Sequence, residues 1–170
     1  YLVDMVQGLM EEADASFSDL THIAAGCGPG SFTGLRVCLS AAKGYLLATK
    51  ATALGVNGLA ALAVDAVIQG QTEQRQSGPY LCFADTRRNS LFVQEFGPQA
   101  NMLSPVRDVP LERIISYIEE AYLRFDGLCL TLTGHVTDLS DLVSTEKRIF
   151  CQPRSVDAQM IGYYALQSLS

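Results

Sequence analysis

The order in which the apolar runs change their period constrains this chain most. Leu2, Val6, Leu9, Met10 and Ala13 recur at helical spacing, so residues 1–14 predict an amphipathic helix. A short apolar run at 21–25 predicts a buried strand, 34–49 a helix, 51–56 a strand, and 58–68 a helix with Asn57 at its N-cap. Residues 69–78, Gln-Gly-Gln-Thr-Glu-Gln-Arg-Gln-Ser-Gly, then hold no apolar side chain. Beyond them, strands are expected at 80–84 and 91–96, joined across Asp85-Thr86-Arg87-Arg88-Asn89, with a third near 102–106. Pro110 opens a helix to about Arg124 with Leu111, Ile114, Ile115 and Ile118 as its buried stripe. A strand at 128–133, a helix at 138–143, a strand at 148–151 and a helix at 156–169 close the pattern.

The first half therefore reads αβαβα and the second βββαβαβα, so the first string is the tail of the second. Alternation of this kind packs as sheets covered by helices, an α/β architecture. Two similar lobes are expected, at 1–70 and 79–170, joined by a polar linker at 71–78. On that comparison the first lobe lacks three leading strands, the equivalents of 79–109, which are expected ahead of Tyr1.

Composition narrows the function classes. The chain has 170 residues, 48% hydrophobic and 18% charged, which supports a packed core and argues against disorder. With 12 basic and 18 acidic residues the formal charge is −6, too acidic for a protein that grips nucleic acid unaided. Cys27, Cys38, Cys82, Cys129 and Cys151 include no closely spaced pair, which favours reduced thiols in the cytoplasm over a disulfide scaffold or a zinc knuckle. No membrane span and no metal site are expected, since only His22 and His135 occur and neither has further ligands at close spacing.

The segment Gly28-Pro29-Gly30-Ser31-Phe32-Thr33-Gly34 lies between a predicted strand and a predicted helix. Its glycine spacing fits neither a Walker loop nor a dinucleotide fingerprint. Two readings stay open. Gly30, Ser31, Thr33 and Arg36 line up as donors for an anion at a helix start, or Ser31 or Thr33 merely caps the helix. A Ser31 nucleophile with Asp85 and His135 is a further alternative, an acyl hydrolase or protease, although the flanking glycines are misplaced for a hydrolase elbow. In the helix that follows, Arg36, Ser40 and Lys43 make one narrow polar stripe. Leu35, Cys38, Leu39, Ala42 and Leu46 are expected to face the sheet, while Val37, Ala41, Gly44 and Ala48 form a second stripe that needs a partner; the 1–14 helix meets that need by internal burial, or the two helices together present a surface to another subunit.

The strings Gly28-Pro29-Gly30-Ser31-Phe32-Thr33-Gly34-Leu35-Arg36-Val37, Ser40-Ala41-Ala42-Lys43-Gly44 and Leu54-Gly55-Val56-Asn57-Gly58-Leu59 closely resemble the bacterial TsaB family, also called YeaZ. Asp85-Thr86-Arg87-Arg88 before Leu91-Phe92-Val93 is similar to that family's Asp-Ala-Arg-Arg hairpin. The resemblance implies the actin-like ATPase (ribonuclease H-like) fold, with lobes of the βββαβαβα type. It also implies a non-catalytic accessory role in tRNA threonylcarbamoyladenosine biosynthesis. The expected partners are the catalytic homologue TsaD, the ATPase TsaE, and a second copy of the chain in isolation, with tRNA reached only through the complex. On that implication Leu2, Met5, Val6, Leu9, Val37, Ala41, Tyr45 and Ala48 are interface candidates, chosen by periodicity. Cys38 stands where the family usually has Gly, and the family's opening hairpin with its Asp-Thr turn is absent. No complete ATP site, catalytic residue or cofactor is therefore assigned, and a weak nucleotide hydrolase is kept only as an alternative.

Overall fold

The computed structural model describes residues 1–72, 78–125, 130–135 and 149–169. In chain order they form α1 (Leu2–Glu12), β1 (His22–Gly26), α2 (Phe32–Ala48), β2 (Thr52–Val56) and α3 (Gly58–Thr72). Then follow β3 (Tyr80–Asp85), β4 (Ser90–Phe96), β5 (Arg107–Pro110), α4 (Ile114–Arg124), β6 (Leu130–Gly134), β7 (Ile149–Pro153) and α5 (Ala158–Gln167). Strands β1 and β2 pair in parallel as a small sheet of their own. The other five run in the order β5-β4-β3-β6-β7, with β4 antiparallel to both neighbours and β3, β6 and β7 parallel.

The larger sheet is buried on both faces, and its strands are accordingly apolar at both parities. Leu81 and Phe83 of β3 with Leu91 and Val93 of β4 meet Ile114, Ile118 and Ala121 of α4. The i, i+4, i+7 spacing of those three α4 residues is what aligns them on one face. On the opposite face Tyr80, Cys82 and Phe96 pack against Leu59, Leu62, Ala63 and Ala66 of α3. At Gly134, with φ +98°, a Cβ would stand 2.1 Å from the Phe83 carbonyl oxygen, so only glycine fits where β6 leaves the sheet.

Helices α3 and α5 each cross to the other half. Although α3 directly follows β2, its main apolar face covers the larger sheet. The closing helix α5 in turn packs Ile161 and Ala165 against Val56 of β2 and Ala61 of α3. Burial of 59–63 all round the α3 helix follows from its place between the two sheets. A polar tie reinforces the junction: Asn57 Oδ1 caps α3 by accepting from Leu59 N at 2.9 Å, while its Nδ2 donates to Gln94 Oε1 of β4 at 2.8 Å.

Several element boundaries differ from the expectation. The third strand of the second half is not at 102–106 but at β5. A turn at 97–101 closes with Gly97 N donating to Asn101 O, leaving Met102 a single bridge to Phe96. Pro105 then has no N–H to offer a ladder, and pairing resumes at Arg107. Pro110 does not open a helix. It stays extended as the last residue of β5, opposite Ser90, and α4 begins only after a 3-10 turn at Leu111–Arg113. Helix α3 runs on through Gln69, Gly70 and Gln71, because Gln is a good helix former and Gly70 is buried near the Tyr80 hydroxyl. The helix expected at 138–143 and the linker residues 73–77 lie outside the described residues. No helix among the described residues is long and apolar enough to cross a membrane.

Candidate functional site

The glycine loop is placed by the C-terminal ends of β1 and β2. Cys27 N donates to Val56 O at 2.7 Å, and Gly58 N donates to Gly28 O at 2.8 Å, stitching the loop to the β2–α3 junction. Gly28 sits at φ +101°, where a side chain would be strained and would also meet Leu35 at 3.2 Å. Ser31 is the N-cap of α2, its Oγ accepting from Gly34 N at 3.3 Å. The Arg36 guanidinium lies over the Phe32 ring, 3.9 Å from its centroid. Thus the structure brings Gly30, Ser31, Thr33 and Arg36 onto one turn, with Ser31 engaged as a cap and Arg36 engaged by an aromatic face.

No hydrogen bond among the described residues links Ser31, Asp85 and His135. Asp85 Oδ1 instead accepts from Arg87 N at 2.7 Å within the β3–β4 hairpin. His135 follows β6, its backbone N–H donating to Phe83 O at 3.0 Å. Among the described residues no group of three or more His, Cys, Asp or Glu comes together as a metal site.

Helices α1 and α2 share an unusual property: neither contains a buried residue. On α1, Met5 is 56% and Leu9 62% exposed, with Leu2 also open and Val6 half-buried. On α2, Val37 is 52% exposed, Ala48 is exposed, and Ala41 and Tyr45 are half-buried. Tyr45 stacks on Phe17 with ring centroids 5.4 Å apart, and its buried hydroxyl has no hydrogen-bond partner. Leu35, Cys38, Ala42 and Leu46 are half-buried, in keeping with a face turned inward. Leu39, at 37%, is only slightly more open than these. Val3 and Leu47 extend the open apolar surface and were not singled out by periodicity.

A second cluster lies on the larger sheet. The Glu95 side chain of β4, only 9% exposed, accepts from Tyr117 OH at 2.7 Å and from an Arg124 guanidinium nitrogen at 2.5 Å. Burial, then the hydrogen bond to Glu95, push the Tyr117 hydroxyl up to about 12. Arg107, Arg113 and Arg124 line the groove beside it. They come from a strand, a turn and a helix end, so no local motif announced them.

Two mixed layers of this kind define a fold class. Two solved structures from Pseudomonas aeruginosa superpose with a TM-score of 0.77 each at 20% identity, covering 99% of this chain. One is described as YeaZ and the other as an uncharacterized protein with similarity to peptidase YeaZ; 76% and 74% of their chains are covered. The fold is that of the actin-like ATPases. Residues 1–126 match the family profile described as TsaD, tRNA N6-adenosine threonylcarbamoyltransferase, and the chain belongs to that family. It is a homologue of TsaB/YeaZ: the Escherichia coli tRNA threonylcarbamoyladenosine biosynthesis protein TsaB is 29% identical over 100 residues, 59% of this chain and 41% of that protein. An uncharacterized protein of Mycobacterium tuberculosis is 30% identical over 129 residues, 72% of this chain and 56% of its own. A tRNA N6-adenosine threonylcarbamoyltransferase of Granulibacter bethesdensis is 38% identical over 85 residues, 49% of this chain and 23% of that enzyme. The chain thus spans about half the length, or less, of these curated relatives.

Proposed function

We propose that this chain is a non-catalytic scaffold in tRNA threonylcarbamoyladenosine biosynthesis, stabilising a catalytic TsaD homologue. The observation that carries the reading is the match of residues 1–126 to the TsaD family together with the likeness to the Escherichia coli TsaB protein. Leu2, Met5, Val6 and Leu9 on α1 and Val37, Ala41, Tyr45 and Ala48 on α2 are the proposed contact residues, exposed or half-buried on their helices. Exposed apolar area of this extent marks a protein contact more readily than a solvated surface. TsaE and a second copy of the chain complete the proposed partners, tRNA is reached through the assembly, and the setting is the cytoplasm. The lobes at 1–70 and 79–170 belong to the same reading.

The test is co-purification with the TsaD homologue of the same organism. Met5→Glu with Val37→Glu places two charges on exposed positions that the fold does not use, so the isolated variant should melt like the parent. Association should weaken about a hundredfold or more, since two charges are desolvated without partners. A complex of unaltered affinity would remove α1 and α2 from the interface.

A further inference from the structure

The groove beside Tyr117 stands apart from both the glycine loop and the α1–α2 face. It encloses about 220 Å³ and is lined by Arg107, Asp108, Arg113, Tyr117, Glu120 and Arg124. Three of the chain's nine arginines meet here, in a protein whose formal charge is −6. Arg124 is anchored to Glu95, whereas Arg107 and Arg113 form no ion pair among the described residues. This holds even though Asp108 and Glu120 line the same hollow. Arg107, on the same face of β5 as buried Val109, and Arg113 and Glu120 therefore border one groove as exposed charges that do not neutralise each other directly.

We infer that the groove binds a ribose phosphate unit, Arg107 and Arg113 donating to the phosphate oxygens and Glu120 accepting from a sugar hydroxyl. Guanidinium groups present paired donors that match a phosphate. The Glu120 carboxylate would repel a bare phosphate, but an acidic side chain is a good acceptor for a ribose hydroxyl, as in dinucleotide sites. The volume is below the roughly 300–1,000 Å³ of pockets that enclose a whole small molecule, so a sugar phosphate fits and its base stays outside. The neighbouring β3–β4 hairpin carries exposed Arg87 and Arg88 and is tied to this region by Leu111 N donating to Asn89 O at 3.1 Å. That hairpin adds two further exposed cations near the groove. The inference does not depend on the partner proposed for α1 and α2.

Amide shifts of residues 107–124 in the full chain, titrated with AMP, 2′-deoxy-AMP, inorganic phosphate and a short single-stranded RNA, provide the test. AMP should move these amides and bind more tightly than the deoxy form or phosphate. Arg107→Gln with Arg113→Gln should weaken AMP about tenfold with unchanged melting. Glu120→Gln should erase the preference for ribose over deoxyribose and tighten inorganic phosphate. RNA binding more tightly than AMP, with the same sensitivity to the arginine changes, makes a strand the source of the ligand; RNA no tighter than AMP makes it a free nucleotide. Absence of shifts at 107–124 with both AMP and RNA, indifference to the arginine changes, or equal affinity for AMP and its deoxy form would overturn the inference.

Discussion

Replacing Arg124 by Met tests how the larger sheet holds its outer helix. Glu95 is a carboxylate at 9% side-chain exposure on β4, and Arg124 is the cation that compensates it from the last turn of α4. Removing one partner of a buried pair typically costs about 3–5 kcal/mol, because the other charge is left desolvated. Arg124 itself is 46% exposed, so water already screens part of the attraction, and Tyr117 OH remains as a donor to Glu95. The expected cost is therefore lower, about 2 kcal/mol. For a chain of this size that lowers the melting temperature by about 4–8 °C. Thermal unfolding followed by circular dichroism measures it. Glu95→Gln removes the charge that needs compensation, so the double variant Glu95→Gln/Arg124→Met should regain a large part of the loss, with a coupling of about 1 kcal/mol or more. Strict additivity of the two changes, or an Arg124→Met protein melting within about 1 °C of the parent, would refute the reasoning.

Two other outcomes follow from the same geometry. Asn57→Ala removes both the cap on α3 and the donor to Gln94, and should destabilise by about 1–2 kcal/mol in denaturant unfolding; a change below about 0.3 kcal/mol would show that the tie between the halves carries no weight. Tyr117 keeps its proton in the folded state up to about 12, while the unfolded chain releases it near its ordinary value of 10. The unfolded state then binds fewer protons between those values, so stability is full below pH 10 and falls as pH rises toward 12. Tyr117→Phe should show a shallower decline over that window, and an identical decline would separate Tyr117 from the effect.

Much of the fold was legible because its signals are local. The i, i+4 pairing of Ile114 and Ile118 marks α4 in any window that contains both, and Asn57 before an apolar run marks the start of α3. The glycine loop was equally plain, since three glycines and a capping Ser31 fall within seven residues. Where the pattern failed, the deciding partner was distant. Pro110 has the local look of a helix start, yet its pairing with Ser90, twenty residues earlier in the chain, keeps it extended. The arginine groove was invisible for the same reason. Arg107, Arg113 and Arg124 are separated by a strand end, a turn and a helix, and only the packing of α4 on β4 and β5 makes them neighbours.

The crossing of α3 and α5 separates the order of synthesis from the order of assembly. Strands β1 and β2 are made before β3 to β7, but Ile161 and Ala165, which pack against them, belong to α5, far along the chain. Until α5 is available, one face of the small sheet has no lid, and Val56 and Ala61 stay wet. The larger sheet has the opposite schedule, since α3 is ready before any strand it covers exists. Closure of the small sheet thus waits on a helix made after the strands of the larger one.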